Sequence, residues 1–216
     1  SRGAYERIGG VQGALTTRAD QIYDSLSEAQ QRLMRRLLLR LVEVGKDTVT
    51  RRRVERAELR FEDVPEAEVQ AVLDRLTHRE ARLLTVSAPI GDADHSDDSQ
   101  VLITLSHEAL IRSWGRFQEW IESSQEALRL EAALRRAEQE WTTSTQDSAF
   151  LLRGSRLTRA RGWLQSADSP PQPLKVYIEA SSEFRRAEIE ADERRTRALQ
   201  EAQAQEEKAR QEAQQE

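Results

Sequence analysis

Leu15, Ala19, Ile22 and Leu26 recur in steps of four, three and four, the spacing that lines one face of a helix. The Gly9-Gly10 pair ahead of them predicts a flexible lead-in, because glycine stiffens the chain least. Ser27 and Gln30 stand three residues apart as a capping box, and Leu33, Leu37, Leu41 and Val44 then predict a second helix that a left-handed Gly45 stops. Residues 48–54 mix β-branched and basic side chains and predict a brief strand, followed by a small helix around Ala57 to Leu59. Pro65 suits a first helical position, and Val69, Val72, Leu73 and Leu76 give the helix after it a buried stripe. Residues 83–86 and 101–105 are apolar runs on either side of a polar stretch, 91–99, which predicts a hairpin with a long tip.

Beyond the hairpin, Ser106 is placed to cap a helix whose apolar face is Leu110, Trp114, Phe117 and Ile121. Ser123 with Glu126 forms another capping box, and the helix it predicts carries Leu130, Leu134, Ala137 and Trp141 up to Thr142-Thr143-Ser144-Thr145, whose hydroxyls compete with the helical backbone. Leu157, Ala160 and Leu164 mark one short helix. A break at Ser169-Pro170-Pro171-Gln172-Pro173 separates it from another that starts with Leu174, Tyr177, Ile178 and Phe184. From 185 to 216 the only large apolar residues are Ile189 and Leu199, so high helix propensity meets no core: a solvated helix, or a weak coiled-coil contact with a partner. The fold class is therefore mainly α. It divides into a linker helix (1–26), a winged-helix domain of three helices and a β-hairpin wing (27–122), a small helical bundle (123–184) and a long charged helical tail (185–216).

Charge changes little in that picture. Lys and Arg total 33 against 38 Asp and Glu, a net of −5, which does not point to nucleic acid. Arg51-Arg52-Arg53 beside a winged helix raises DNA binding as an alternative. Against it, the third helix opens with Glu66 and Glu68 and carries Asp74, and the wing tip holds Asp92, Asp94, Asp97 and Asp98, all of which repel phosphate. Without cysteine there is no disulfide framework and no thiolate metal site, which makes a cytoplasmic compartment the expectation. No apolar stretch approaches the roughly 18 residues a membrane span needs. The opening Ser1-Arg2-Gly3 reads as the start of a piece of a longer protein.

Metal chemistry finds no support. A calcium loop beginning at Asp92 wants glycine at 97 and glutamate at 103, where the chain has Asp97 and Ile103, and neither His78 nor His95 has a second ligand nearby. Residues 9–13, Gly-Gly-Val-Gln-Gly, lack the preceding strand and the Gly-Lys-Ser/Thr of a phosphate loop, and read as a hinge. His107 is the sharpest local candidate. It lies where a strand passes directly into a helix, so first-turn amides and the helix dipole favour an anion and disfavour imidazolium. A neutral imidazole there donates one N–H to a phosphate oxygen, or else bonds a nearby carbonyl as an ordinary helix-start histidine. His107-Glu108 begins a zinc-protease pattern that Ile111 ends. No catalytic constellation is found, and the chain by itself is not expected to be an enzyme.

Four stretches taken in order resemble one family. They are 5–15 (Tyr-Glu-Arg-Ile-Gly-Gly-Val-Gln-Gly-Ala-Leu), 37–45 (Leu-Leu-Leu-Arg-Leu-Val-Glu-Val-Gly), 105–114 (Leu-Ser-His-Glu-Ala-Leu-Ile-Arg-Ser-Trp) and 150–157 (Phe-Leu-Leu-Arg-Gly-Ser-Arg-Leu). Together they are similar to the C-terminal part of the bacterial novel STAND signal-transduction ATPases, over roughly Tyr5 to Arg186. The resemblance implies a P-loop ATPase domain upstream in the same chain and sensor or effector repeats downstream, frequently a WD-repeat propeller. It implies ATP or ADP with Mg²⁺ as cofactors of the full-length parent and none of this segment. In the related NB-ARC class a Met-His-Asp motif ends the winged helix, and its histidine touches the β-phosphate of ADP. Ser106-His107-Glu108 is similar in place, with serine for methionine and glutamate for aspartate, so only His107 carries over as a phosphate contact. The implied function is a regulatory, non-catalytic module that couples nucleotide state to downstream domains by intramolecular packing. A DNA-binding winged-helix transcriptional regulator and a helical protein-interaction scaffold are the alternatives, with self-association as a further partner expectation.

Overall fold

Ser27 begins the most strongly specified helix, and both halves of its capping box form: its hydroxyl accepts from the Gln30 amide at 3.3 Å, and its own amide donates to Gln30 Oε1 at 3.2 Å. The structure, a computed structural model, describes residues 2–45, 48–87, 101–167 and 169–215. The chain is mainly helical and divides into two units, Ser1–Ala133 and Leu134–Glu216.

In the first unit, helix α1 (Arg2–Asp24) is followed by α2 (Glu28–Arg40), strand β1 (Val42–Val44), β2 (Val49–Arg51), β3 (Val54–Glu55) and a 3₁₀ turn at Arg56–Leu59. Helix α3 (Glu66–Thr77), β4 (Leu84–Ser87), β5 (Leu102–Leu105), the five-residue α4 (Ala109–Ser113) and α5 (Gly115–Thr143) come next. Strands β1 and β2 pair antiparallel. The other three form an antiparallel sheet in the order β3-β5-β4, with Ile103 of β5 between Val54 and Val86. The expected stripe of α3, Val69, Val72, Leu73 and Leu76, is buried throughout. It shares a core with Leu33, Met34, Leu37 and Leu38 of α2 and with Ile103 and Leu105 of the sheet.

Four local expectations are corrected. Helix α2 stops at Arg40, because Val42-Glu43-Val44 alternates buried, exposed, buried and pairs with β2; Leu41 and Val44 fit a helical stripe and a strand equally well. Gly45 consequently closes a hairpin, its amide bonded to Thr48 O at 2.8 Å, and does not end a helix. Helix α1 runs unbroken through Gly9-Gly10, since two interior glycines cost about 1 kcal/mol each and do not forbid a helix. Ser123 caps nothing: it lies within α5, and its hydroxyl donates back to Trp120 O at 3.0 Å, as a mid-helix serine does. The hairpin tip, 91–99, lies outside the described residues.

In the second unit the later part of α5, with Leu134, Ala137 and Trp141, is joined by a 3₁₀ turn (Ser148–Phe150), α6 (Gly154–Ser166) and α7 (Gln172–Gln215). Helix α6 packs on α7, and Leu157, Ala160 and Trp163 of α6 and Leu174, Tyr177 and Ile178 of α7 are buried, with Leu164 only half-buried. The polar tail is the continuation of α7. Every side chain from Asp192 to Gln211 is exposed, as a helix without a core requires. Replacing Ser27 by alanine removes one cap bond from α2, and we expect it to lower the stability of the first unit by about 1 kcal/mol in urea unfolding.

Candidate functional site

The junction from β5 to α4 is held by backbone on one side and by packing on the other. Leu105 is fully buried, and the Ser106 amide donates to Leu83 O at 2.9 Å. Leu110 and Ile111, a turn further on, are buried as well. Between these anchors His107 is exposed, and its carbonyl accepts from the Leu110 amide at 3.2 Å. Its imidazole has no hydrogen-bond partner among the described residues. Ser106 does not cap the helix. The N-cap position is Glu108, without a side-chain cap bond, and the Ser106 hydroxyl shares a 2.8 Å hydrogen bond with Thr85 across the β4-β5 pair. His107 thus precedes α4 and does not lie in its first turn. A five-residue helix also has a much smaller dipole than the sequence pattern implied.

One group of interactions at this junction was not anticipated. Trp114, 1% exposed, occupies the break between α4 and α5 with extended backbone. Its indole N–H donates to Asp20 Oδ1 of α1 at 2.9 Å. Arg116 donates to the same oxygen at 3.2 Å, reaches Asp24 at 3.4 Å, and lies over the Tyr23 ring at 4.2 Å. Trp120 then packs against both Tyr23 and Trp114, each ring centroid 5.4 Å away. In this way α1 is tied to the segment that follows His107. Sequence spacing marks Trp114 as a stripe residue, but an acceptor 94 positions away leaves no periodic trace.

The basic run beside the 3₁₀ turn is only partly available. Arg52 is paired with Glu58 at 2.6 Å, whereas Arg51 and Arg53 are exposed. Arg56, 6% exposed, binds Glu66 at 2.5 Å and Gln70 at 2.9 Å, so one of the carboxylates at the start of α3 is neutralised. His78 ends α3 with its Nδ1 accepting from the Glu80 amide at 3.4 Å, and His95 lies outside the described residues. A groove of about 450 Å³ between α1 and the end of α3 is lined by Arg18, Asp74, Arg75 and His78 among others, and His107 is not part of it. Among the described residues no group of three or more His, Cys, Asp or Glu side chains is placed to hold a metal. Nor is any helix among them long and apolar enough to cross a membrane.

Comparison with known proteins adds one finding. Residues 1–149 match the family model described as Novel STAND NTPase 1. No curated protein matches the chain, and no solved structure does.

Proposed function

This chain belongs to the Novel STAND NTPase 1 family, and we propose that it is a regulatory, non-catalytic module of a cytoplasmic signalling ATPase. It couples the nucleotide state of a P-loop domain upstream to sensor or effector domains downstream. Residues 27–122 act as a winged helix. Helix α2, then three short strands, a 3₁₀ turn and α3, then β4 and β5 completing a β3-β5-β4 sheet support that reading. Phosphate and Mg²⁺ would be cradled by the upstream domain, for this sequence has no Gly-Lys-Ser/Thr loop, and this chain would add one donor at the β5-α4 junction.

That donor is His107, and the observation that carries the reading is its setting: an exposed imidazole on backbone fixed at both ends by buried Leu105 and Leu110. When ADP is bound, the winged helix packs on the ATPase with His107 on a phosphate oxygen, and exchange for ATP releases it. One hydrogen bond to a charged phosphate contributes about 1.5–3 kcal/mol, which biases a two-state equilibrium by about ten- to a hundredfold. The test uses the longer protein with its ATPase domain present. His107→Ala should lower the ADP that copurifies and raise ADP dissociation by about that factor. Unchanged nucleotide content and assembly would reduce His107 to a surface residue and the segment to a spacer.

A further inference from the structure

The exposed part of α7 carries a repeat that the proposed switch does not use. Ala187, Ala198 and Ala209 stand eleven residues apart, as do Ala191, Ala202 and Ala213, with Arg186, Arg197 and Lys208 before the first set and Glu190, Glu201 and Glu212 before the second. An eleven-residue period is about 3.67 residues per turn, so these positions from Arg186 to Ala209 keep to one face of the helix. The charges on the two edges of that face are not random. We propose that α7 is a self-association surface, on which a second copy of this chain packs antiparallel about a two-fold axis level with residue 200.

Charge complementarity selects this occupant and this direction. In an antiparallel pair like edges meet, and the two-fold axis puts Glu190 opposite Lys208 of the second copy and Arg197 opposite its Glu201 on one edge. On the other edge Asp192 meets Arg210 and Arg195 meets Glu206, and each contact occurs twice. Ala198 faces Ala202 and Ala191 faces Ala209, small side chains that let the two backbones approach closely. Leu199, 65% exposed, is covered by its own copy beside the axis. A parallel, in-register pair would instead set Glu190 against Asp192 and Arg197 against Arg195, like charge on like. Within one helix Arg197 reaches Glu193 at 3.9 Å and Arg210 reaches Glu206 at 3.8 Å, with all four side chains more than half exposed. Exposed pairs of that kind hold their partners weakly and can be shared across the interface.

Sedimentation equilibrium of the full chain, across a range of concentrations at low salt, should show a species of twice the 24.8 kDa chain mass. Glu201→Arg places arginine against arginine at both copies of one contact and should weaken the dimer by about tenfold or more. Adding Arg197→Glu to that variant reverses both partners and should restore association. Direction is read separately, since the chain has no cysteine. A mixture of Ala191→Cys and Ala209→Cys chains should form a disulfide between the two types, and neither should link to itself. A wild-type chain that stays monomeric, a dimer indifferent to Glu201→Arg, a double variant without rescue, or self-linking of Ala191→Cys alone would each overturn the proposal. Far-UV circular dichroism of the variants separates loss of pairing from loss of helix.

Discussion

Trp114→Ala is expected to destabilise the first unit by about 3–5 kcal/mol, the range for removing a large aromatic from a close-packed core. The indole is 1% exposed and touches Phe117 and Trp120, so its deletion opens a cavity between two other aromatic rings that cannot both follow it inward. The loss is compounded at Asp20. That carboxylate keeps Arg116 but gives up its shortest donor, the indole N–H at 2.9 Å. Trp114→Phe separates the two contributions: most of the apolar contact survives, the hydrogen bond does not, and the expected cost falls to about 1.5–3 kcal/mol, the range for a bond to a charged acceptor. Urea unfolding followed by circular dichroism measures both variants. Hydrogen exchange should show faster opening of α1 and α4 in the alanine variant, since Trp114 at the end of α4 is bonded to Asp20 of α1. A cost under about 1 kcal/mol for Trp114→Ala would mean that the break between α4 and α5 is not a core position.

The same residue shows where sequence reasoning stops. Steps of four, three and four placed Leu110, Trp114, Phe117 and Ile121 on one helical face, and all four are indeed buried, yet the helix breaks at Trp114 itself. Burial period is a local signal and carries no mark of the break, at which the Trp114 indole meets an acceptor on α1, far away in the chain. The capping box at Ser27 was legible because both of its bonds lie within four residues. So were the α3 stripe and the β4-β5 pair, where apolar runs and flanking polar residues agree. At Leu41 to Val44 two periods fit the same residues, and pairing with Val49–Arg51 decided for the strand. The candidate site divides in the same way. His107 could be singled out from the strand-to-helix junction around it, but the missing first-turn geometry and the Asp20, Trp114 and Arg116 group depend on which elements meet in space.

Tyr177 should dominate the second unit as Trp114 does the first, and it adds a dependence on pH. The ring is fully buried against Trp141, centroids 5.4 Å apart, and its hydroxyl donates to Phe150 O at 2.8 Å. Beside it Ser181, also buried, donates to Tyr177 O at 2.8 Å and accepts from the Leu152 amide at 3.1 Å, so the ring is held at the centre of a bonded cluster. Tyr177→Ala is expected to cost about 3–5 kcal/mol in urea unfolding, and Tyr177→Phe about 1 kcal/mol for the lost hydroxyl bond. Burial pushes the phenol pKa above its ordinary value of 10.0, with Glu140 and Glu138 adding to the rise and Arg156 opposing it. The folded chain therefore holds this proton more tightly than the unfolded chain does. The stability it confers is fully present below the unfolded pKa of about 10 and is lost as pH rises past that value and through the raised folded pKa, by at most about 1.4 kcal/mol per pH unit. Tyr177→Phe has no such proton to lose. The advantage of the wild type over Tyr177→Phe should thus hold steady up to about pH 9 and shrink or reverse by about pH 11. A difference that stayed constant across that interval would mean the hydroxyl is as free to ionise in the folded unit as in water.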